Sequence, residues 1–206
     1  MLASDALPRV AAELPGGPAR SDALPSFDEL YDEHVDLVWR ALRRFGVGPS
    51  ELEDATQEVF LVAFRKLDAF EGRCALSTWL YGIAAHVARN LRRSERRHPE
   101  TPTEDVGLDD ASTGASPEDS ASDREAARIL LELLDTLDDD KREAFVLAEL
   151  EGLAAPEIAA SLGLNVNTVY ARIRAGRAAF DQAVKRFSAR ATSPGHNPDK
   201  RAFPWR

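Results

Sequence analysis

Residues 155–177 read APEIAASLGLNVNTVYARIRAGR, and their spacing sets two short helices across a sharp turn. Pro156 suits the first turn of a helix, where a missing N–H costs nothing. Ile158 and Leu162 face a core, and Ala159 is small where the two helices cross. Gly163 allows the turn, Leu164 plugs it, and Asn165 can cap the helix that follows. Val166, Val169, Ile173 and Phe180 are the buried stripe of that helix. The pattern is a helix-turn-helix. Its outward face carries Asn167, Thr168, Tyr170, Ala171, Arg172, Arg174 and Arg177, and Asn, Thr and Arg reach base edges and phosphates. An ordinary αα-hairpin with a cationic end would not need the Ala, Gly and apolar positions together.

Upstream, Ile129, Leu130, Leu133, Leu134 and Leu137 form one apolar face. A helix from near Asp139 carries Ala144, Phe145, Ala148 and Leu150. Residues 125–187 thus read as one all-helical module. Before it, residues 99–124 hold Pro, Ser, Thr, Asp and Glu and almost nothing apolar, the composition of a flexible acidic linker. Residues 1–25 and 188–206 read as disordered tails. Residues 26–98 are a second helical module, so the fold class is all-α: two small domains and a linker.

In that first module, Ser26 and Glu29 can form a capping box. Phe27, Leu30, Tyr31, His34, Val38, Ala41, Leu42 and Phe45 then recur at helical spacing until Gly46 and Gly48-Pro49 stop the helix. Ser50 and Glu53 offer a second box, before a helix with Leu52, Ala55, Val59, Ala63 and Leu67 on its core face. The loop 70–76 leads to a third helix, capped by Ser77 or Thr78, with Leu80, Ile83, Ala84, Val87 and Leu91 inward. Arg89, Arg92, Arg93, Arg96 and Arg97 share another face of it. Five adjacent arginines repel unless a polyanion neutralises them, and the guanidinium fork suits phosphate. Phe70, Trp79 and Tyr81 lie beside this stripe, where single-stranded bases could stack.

The chain of 206 residues has 26 Lys plus Arg and 35 Asp plus Glu, a net charge of −9. The charge is not evenly spread: residues 65–98 and 165–190 each carry +5, while 26–64 carry −6 and 99–128 and 129–164 each carry −7. Two basic blocks on one chain suit two contacts to one polyanion. A lone Cys74 excludes an intramolecular disulfide framework and a zinc ribbon. His34, His86, His98 and His196 have no metal-ligand spacing, and no phosphate loop or nucleophile elbow is present. The expectation is a protein without catalytic residues, metal or cofactor. No secretory signal or membrane-length apolar run is read, so no membrane insertion is expected and the protein is placed in the cytoplasm.

Three stretches in this order resemble the extracytoplasmic-function (ECF) sigma factors of bacterial RNA polymerase. They are Phe27–Tyr31 with Glu53–Phe60, then Phe70–Gly72 through Ser77–Tyr81 to Asn90, then Leu150–Leu153 to Arg177. The resemblance implies a transcription initiation factor that recruits core polymerase to minus-35 and minus-ten elements and promotes melting. It implies docking of Asp54, Gln57, Glu58 and Phe60 on the clamp of the largest subunit, and contact of the chain with the flap. Phe70, Arg73, Trp79, Arg89, Asn90 and Arg93 would serve the melted minus-ten element. Asn167, Thr168, Tyr170, Arg172, Arg174 and Arg177 would serve the minus-35 duplex. Partners implied are core RNA polymerase, promoter DNA and an anti-sigma factor. The chain departs from the family at Arg73-Cys74, Ala155, Tyr170, Ala171 and Ala175, so the resemblance does not fix the promoter sequence. The alternative is a stand-alone helix-turn-helix regulator, which leaves the Asp54/Gln57/Glu58 face and the aromatic-arginine helix without a purpose.

Overall fold

The first helix, α1 (Phe27–Arg44), starts where the sequence places its capping box. The Ser26 hydroxyl accepts the Glu29 N–H at 3.3 Å, and the Glu29 carboxylate accepts the Ser26 N–H at 2.8 Å. It ends at Gly46, whose φ of 91° a side chain would oppose. This computed structural model describes residues 25–97 and 117–192. Residues 1–24, 98–116 and 193–206 lie outside it, and with them most of the predicted linker and tails.

Helices α2 (Leu52–Lys66) and α3 (Leu76–Arg97) complete a three-helix module with α1. Leu30, Val38, Leu42, Val59, Leu80 and Ala84 are fully buried at its centre. The second module follows as α4 (Pro117–Leu134), α5 (Asp139–Phe145), α6 (Ala155–Leu162) and α7 (Val166–Thr192), with a π turn at Val146–Leu150. Leu134, Val146, Leu147, Ile158 and Val169 are its buried centre. α5 and α7 pack so closely at Gly176 that a Cβ there would lie 3.0 Å from the Lys141 carbonyl oxygen. Among the described residues there is no strand, in agreement with the all-α expectation.

Several local expectations shift. Pro49 opens a 3₁₀ turn over Pro49–Glu51, so Ser50 lies inside the turn and caps nothing; α2 begins without a side-chain cap. The Trp79 N–H already donates to the Ala75 carbonyl at 3.1 Å, so Ser77 and Thr78 sit within the first turn of α3. Residues 117–124, assigned to the linker, form the start of α4. Residues 188–192, assigned to the tail, continue α7 on helix-forming Ala189 and Arg190. The cap of α6 is Ala154. Alanine has no acceptor, so only the return bond forms, from the Ala154 N–H to the Glu157 carboxylate at 2.8 Å.

The two modules touch. α3 packs against α6, and the buried apolar residues of both modules form one continuous cluster. Gly82 makes this possible, because a Cβ on it would lie 2.6 Å from the Ser161 carbonyl oxygen.

Candidate nucleic-acid interface and partner face

The turn between α6 and α7 is built as its residues require. Gly163 takes the left-handed conformation at φ 66°. Leu164 N–H returns to the Ala159 carbonyl at 2.9 Å, and the Asn165 side chain accepts the Asn167 N–H at 2.9 Å. Val169 and Ile173 are buried, which turns Asn167, Thr168, Tyr170, Arg174 and Arg177 outward. Arg172 is half-buried and donates to Asp140 at 2.7 Å; Arg177 donates to Glu149 at 2.7 Å. The predicted residues of α7 thus divide between two sectors of the helix: Asn167, Tyr170, Arg174 and Arg177 on one, and Thr168 and Arg172 on the side that faces α3 and α5.

On α3 the predicted residues divide. The Phe70 and Trp79 rings lie 5.2 Å apart and tilted by 45°, both half-buried, at the mouth of the loop before the helix. Arg73 is exposed and pairs with Glu71. Asn90 and Arg93 are exposed. Arg89 is instead half-buried, with Nε donating to Glu143 at 3.1 Å and Nη2 to the other oxygen of the same carboxylate. Burial opposes the Arg89 charge, yet the Glu143 hydrogen bond and charge outweigh it and raise its pKa. Glu143 itself is 2 % exposed, and burial pushes its carboxyl up. Arg92 pairs with Asp139 at 3.1 Å and Arg96 with the same carboxylate at 2.7 Å. Carboxylates of the second module thus neutralise Arg89, Arg92 and Arg96. Tyr81, grouped with the stacking aromatics, is buried, and its hydroxyl donates to Glu151. Arg97 contributes no described side chain.

Sequence reasoning missed Asp139, Asp140 and Glu143 as partners of these arginines. Their signal was the −7 block at 129–164, which gives the charge but not what it faces.

The acidic face of α2 holds Asp54, Gln57 and Glu58 exposed. Phe60 does not join it. It is 3 % exposed, with its ring 4.7 Å from Tyr31 and edge-on to Phe27 at 6.3 Å. One turn on, Phe64 is 60 % exposed, beside Leu61 at 42 % and Tyr31 at 41 %. An acidic patch bordered by exposed apolar side chains is the composition of a protein-docking surface.

Comparison with known proteins places both modules. Residues 30–98 match the family described as Sigma-70 region 2, and residues 127–180 match Sigma-70, region 4. The chain is similar to the ECF RNA polymerase sigma-E factor of Escherichia coli (strain K12), with 37 % identity over 148 residues, 68 % of this chain and 76 % of that protein. To the ECF RNA polymerase sigma-E factor of Haemophilus influenzae it is 31 % identical over 169 residues, 78 % of this chain and 88 % of that protein. Among solved structures, CnrH in complex with the cytosolic domain of CnrY is similar at a TM-score of 0.57 and 26 % identity, covering 81 % of this chain and 92 % of that one. The sigma factor RpoE of Bartonella quintana, in complex with the anti-sigma factor NepR, shares the fold at a TM-score of 0.60 and 21 % identity, covering 77 % and 96 %.

Proposed function

The chain belongs to the ECF branch of the sigma-70 family, and from that premise we infer that it directs bacterial core RNA polymerase to promoters as an initiation factor. The observation that carries the reading is the presence of both family regions in order on one chain. Catalysis then belongs to the polymerase, and the chain supplies recognition and melting. Its place of work is the cytoplasm, beside the chromosome; no helix among the described residues is long and apolar enough to cross a membrane.

The roles of the residues follow from chemistry and exposure. Asp54, Gln57 and Glu58 meet the clamp of the largest subunit, and Leu61 and Phe64 take the apolar part of that contact in place of the buried Phe60. The domain of residues 26–98 holds the melted minus-ten element: Phe70 and Trp79 stack a base, Asn90 reads one, and Arg73, Arg89 and Arg93 hold phosphates. The second domain, residues 125–187, lies on the flap and puts α7 in the major groove of the minus-35 element. There Asn167, Thr168 and Tyr170 meet bases, and Arg172, Arg174 and Arg177 meet bases or backbone. An anti-sigma factor is the regulator this family membership brings with it.

The test is transcription in vitro with purified core polymerase and a pool of promoter fragments. The chain should confer initiation at a subset of them. Asp54→Arg with Glu58→Arg should abolish co-elution with core while helical circular dichroism is unchanged, since both residues are exposed. No initiation with core, alongside footprints on duplex DNA by the chain alone, would establish the stand-alone regulator instead.

A further inference from the structure

The outward sector of α7 lies opposite Val169, Ile173 and Ala183, which are buried. Two of the arginines on this helix are already bound. Arg172 is half-buried and donates to Asp140 at 2.7 Å. Arg177 donates through Nε and Nη2 to one oxygen of Glu149, at 2.9 and 2.7 Å. Asp140 lies on α5 and Glu149 in the π turn, so both pairs brace α7 on its own module. Arg174 differs: it is exposed, and among the described residues no carboxylate holds it. One turn before it, Tyr170 is 57 % exposed. Ala171 and Ala178 flank the two, exposed as well and too short to reach far into a groove.

Residues four apart on a helix share a face and are separated by about 6 Å along its axis. Base pairs follow one another at about 3.4 Å, so the two side chains address positions about two base pairs apart. A guanidinium with no carboxylate to satisfy it makes its best match in the major groove with guanine, donating to O6 and N7 together. The tyrosine ring, with the methyl of Ala171 beside it, offers an apolar surface that suits the C5 methyl of thymine.

We propose that Tyr170 and Arg174 set the promoter specificity of this chain: Arg174 takes a guanine of the minus-35 element, Tyr170 takes a thymine about two base pairs from it, and Arg172 and Arg177, braced by their carboxylates, carry no base preference. The proposal rests on the sigma-factor reading above and deepens it. Resemblance alone does not supply this pair, because Tyr170, Ala171 and Ala175 are departures from the family pattern.

The test is selection from a promoter pool randomised across the minus-35 element. Core polymerase is assembled with full-length wild type, Arg174→Ala, Arg174→Lys, Tyr170→Ala, Tyr170→Phe or the control Arg177→Ala, and the initiating sequences are read. All the substituted side chains are exposed, so helical circular dichroism should match throughout. Wild type should select guanine at one position and thymine about two base pairs away. Arg174→Ala and Arg174→Lys should each lower the guanine preference about tenfold, because neither keeps the paired hydrogen bonds, and leave the thymine. Tyr170→Ala should lower the thymine preference about fivefold and leave the guanine, while Tyr170→Phe selects as wild type does. Arg177→Ala should weaken all sequences alike. If Arg174→Ala also weakens all sequences alike, it contacts phosphate and the proposal is overturned. A thymine preference that survives Tyr170→Ala, or a wild type that selects neither base, overturns it too. If wild type initiates nowhere with core, the sigma reading has failed, and duplexes bound by the chain alone are selected instead; equal base preferences in wild type and variants there would overturn the pair.

Discussion

Truncating Phe60 and Phe64 to alanine separates folding from docking on the same helix. The two residues are one turn apart on α2, and periodicity alone does not distinguish them. Phe60 is 3 % exposed and held between Tyr31 and Phe27, whereas Phe64 is 60 % exposed and meets only the edge of Phe27 among the rings, at 5.1 Å. Phe60→Ala removes a buried ring and leaves a cavity, which costs about 3–5 kcal/mol. With a urea slope of about 1.5 kcal/mol per molar for a module of this size, the midpoint falls by roughly 2–3 M. Phe64→Ala gives up less than half of a full burial, about 1 kcal/mol, and moves the midpoint by less than about 1 M. Affinity for core polymerase should show the reverse order. An aromatic anchor at a protein interface carries about 2 kcal/mol or more, so Phe64→Ala should weaken core binding about 30-fold, read by competition against labelled wild type. The reasoning is refuted if Phe64→Ala destabilises as much as Phe60→Ala, or if it binds core as wild type does.

Two further outcomes test the DNA face and the first module. Arg93→Ala should reduce the slope of log affinity against log salt by about 0.7 when holoenzyme binds a pre-melted bubble, the share of one neutralised phosphate on a single strand; an unchanged slope removes Arg93 from the backbone contacts. His86 has its pKa lowered by burial, then by the charges of Arg89 and Lys66. The fold therefore favours the neutral imidazole. That contribution is complete above the unfolded value of about 6.5 and is lost as pH falls through the lower folded value. The melting temperature of wild type should drop more between about pH 7.5 and pH 5 than that of His86→Gln, and parallel curves would show that His86 is not the group responsible.

The helix-turn-helix was legible because its signals are local. Gly163, Asn165 and the apolar positions of α6 and α7 constrain each other within a few residues, and each sits where that constraint requires. Phe60 was not legible. Spacing gives the direction of a side chain about its own helix but not what another helix lays over it, and here Phe27 and Tyr31 of α1 cover that side. The arginines of α3 were read as one face, yet the acids that meet Arg89, Arg92 and Arg96 lie about fifty residues further on, and only packing of α3 against the second module brings them together. Composition also misjudged residues 117–124. Eight polar and small residues resemble a linker, yet they are the start of α4.

The alternation of charge along the chain becomes a set of pairs in space. Arg142 is 1 % exposed, donating through Nε to the Leu134 carbonyl at 2.8 Å and through Nη2 to Asp135 at 2.5 Å. It reaches from the second module onto the corner after α1, where a Cβ on Gly46 would collide with both Arg142 and Arg92. Arg92 holds that corner too, donating to the Phe45 carbonyl at 3.0 Å. Two guanidinium groups meet there; burial and then the Arg92 charge lower the Arg142 pKa, and its Nη1 finds no acceptor among the described residues. Apolar side chains of the same volume would hold such a junction at least as well, because desolvating charge offsets much of what the pairing returns.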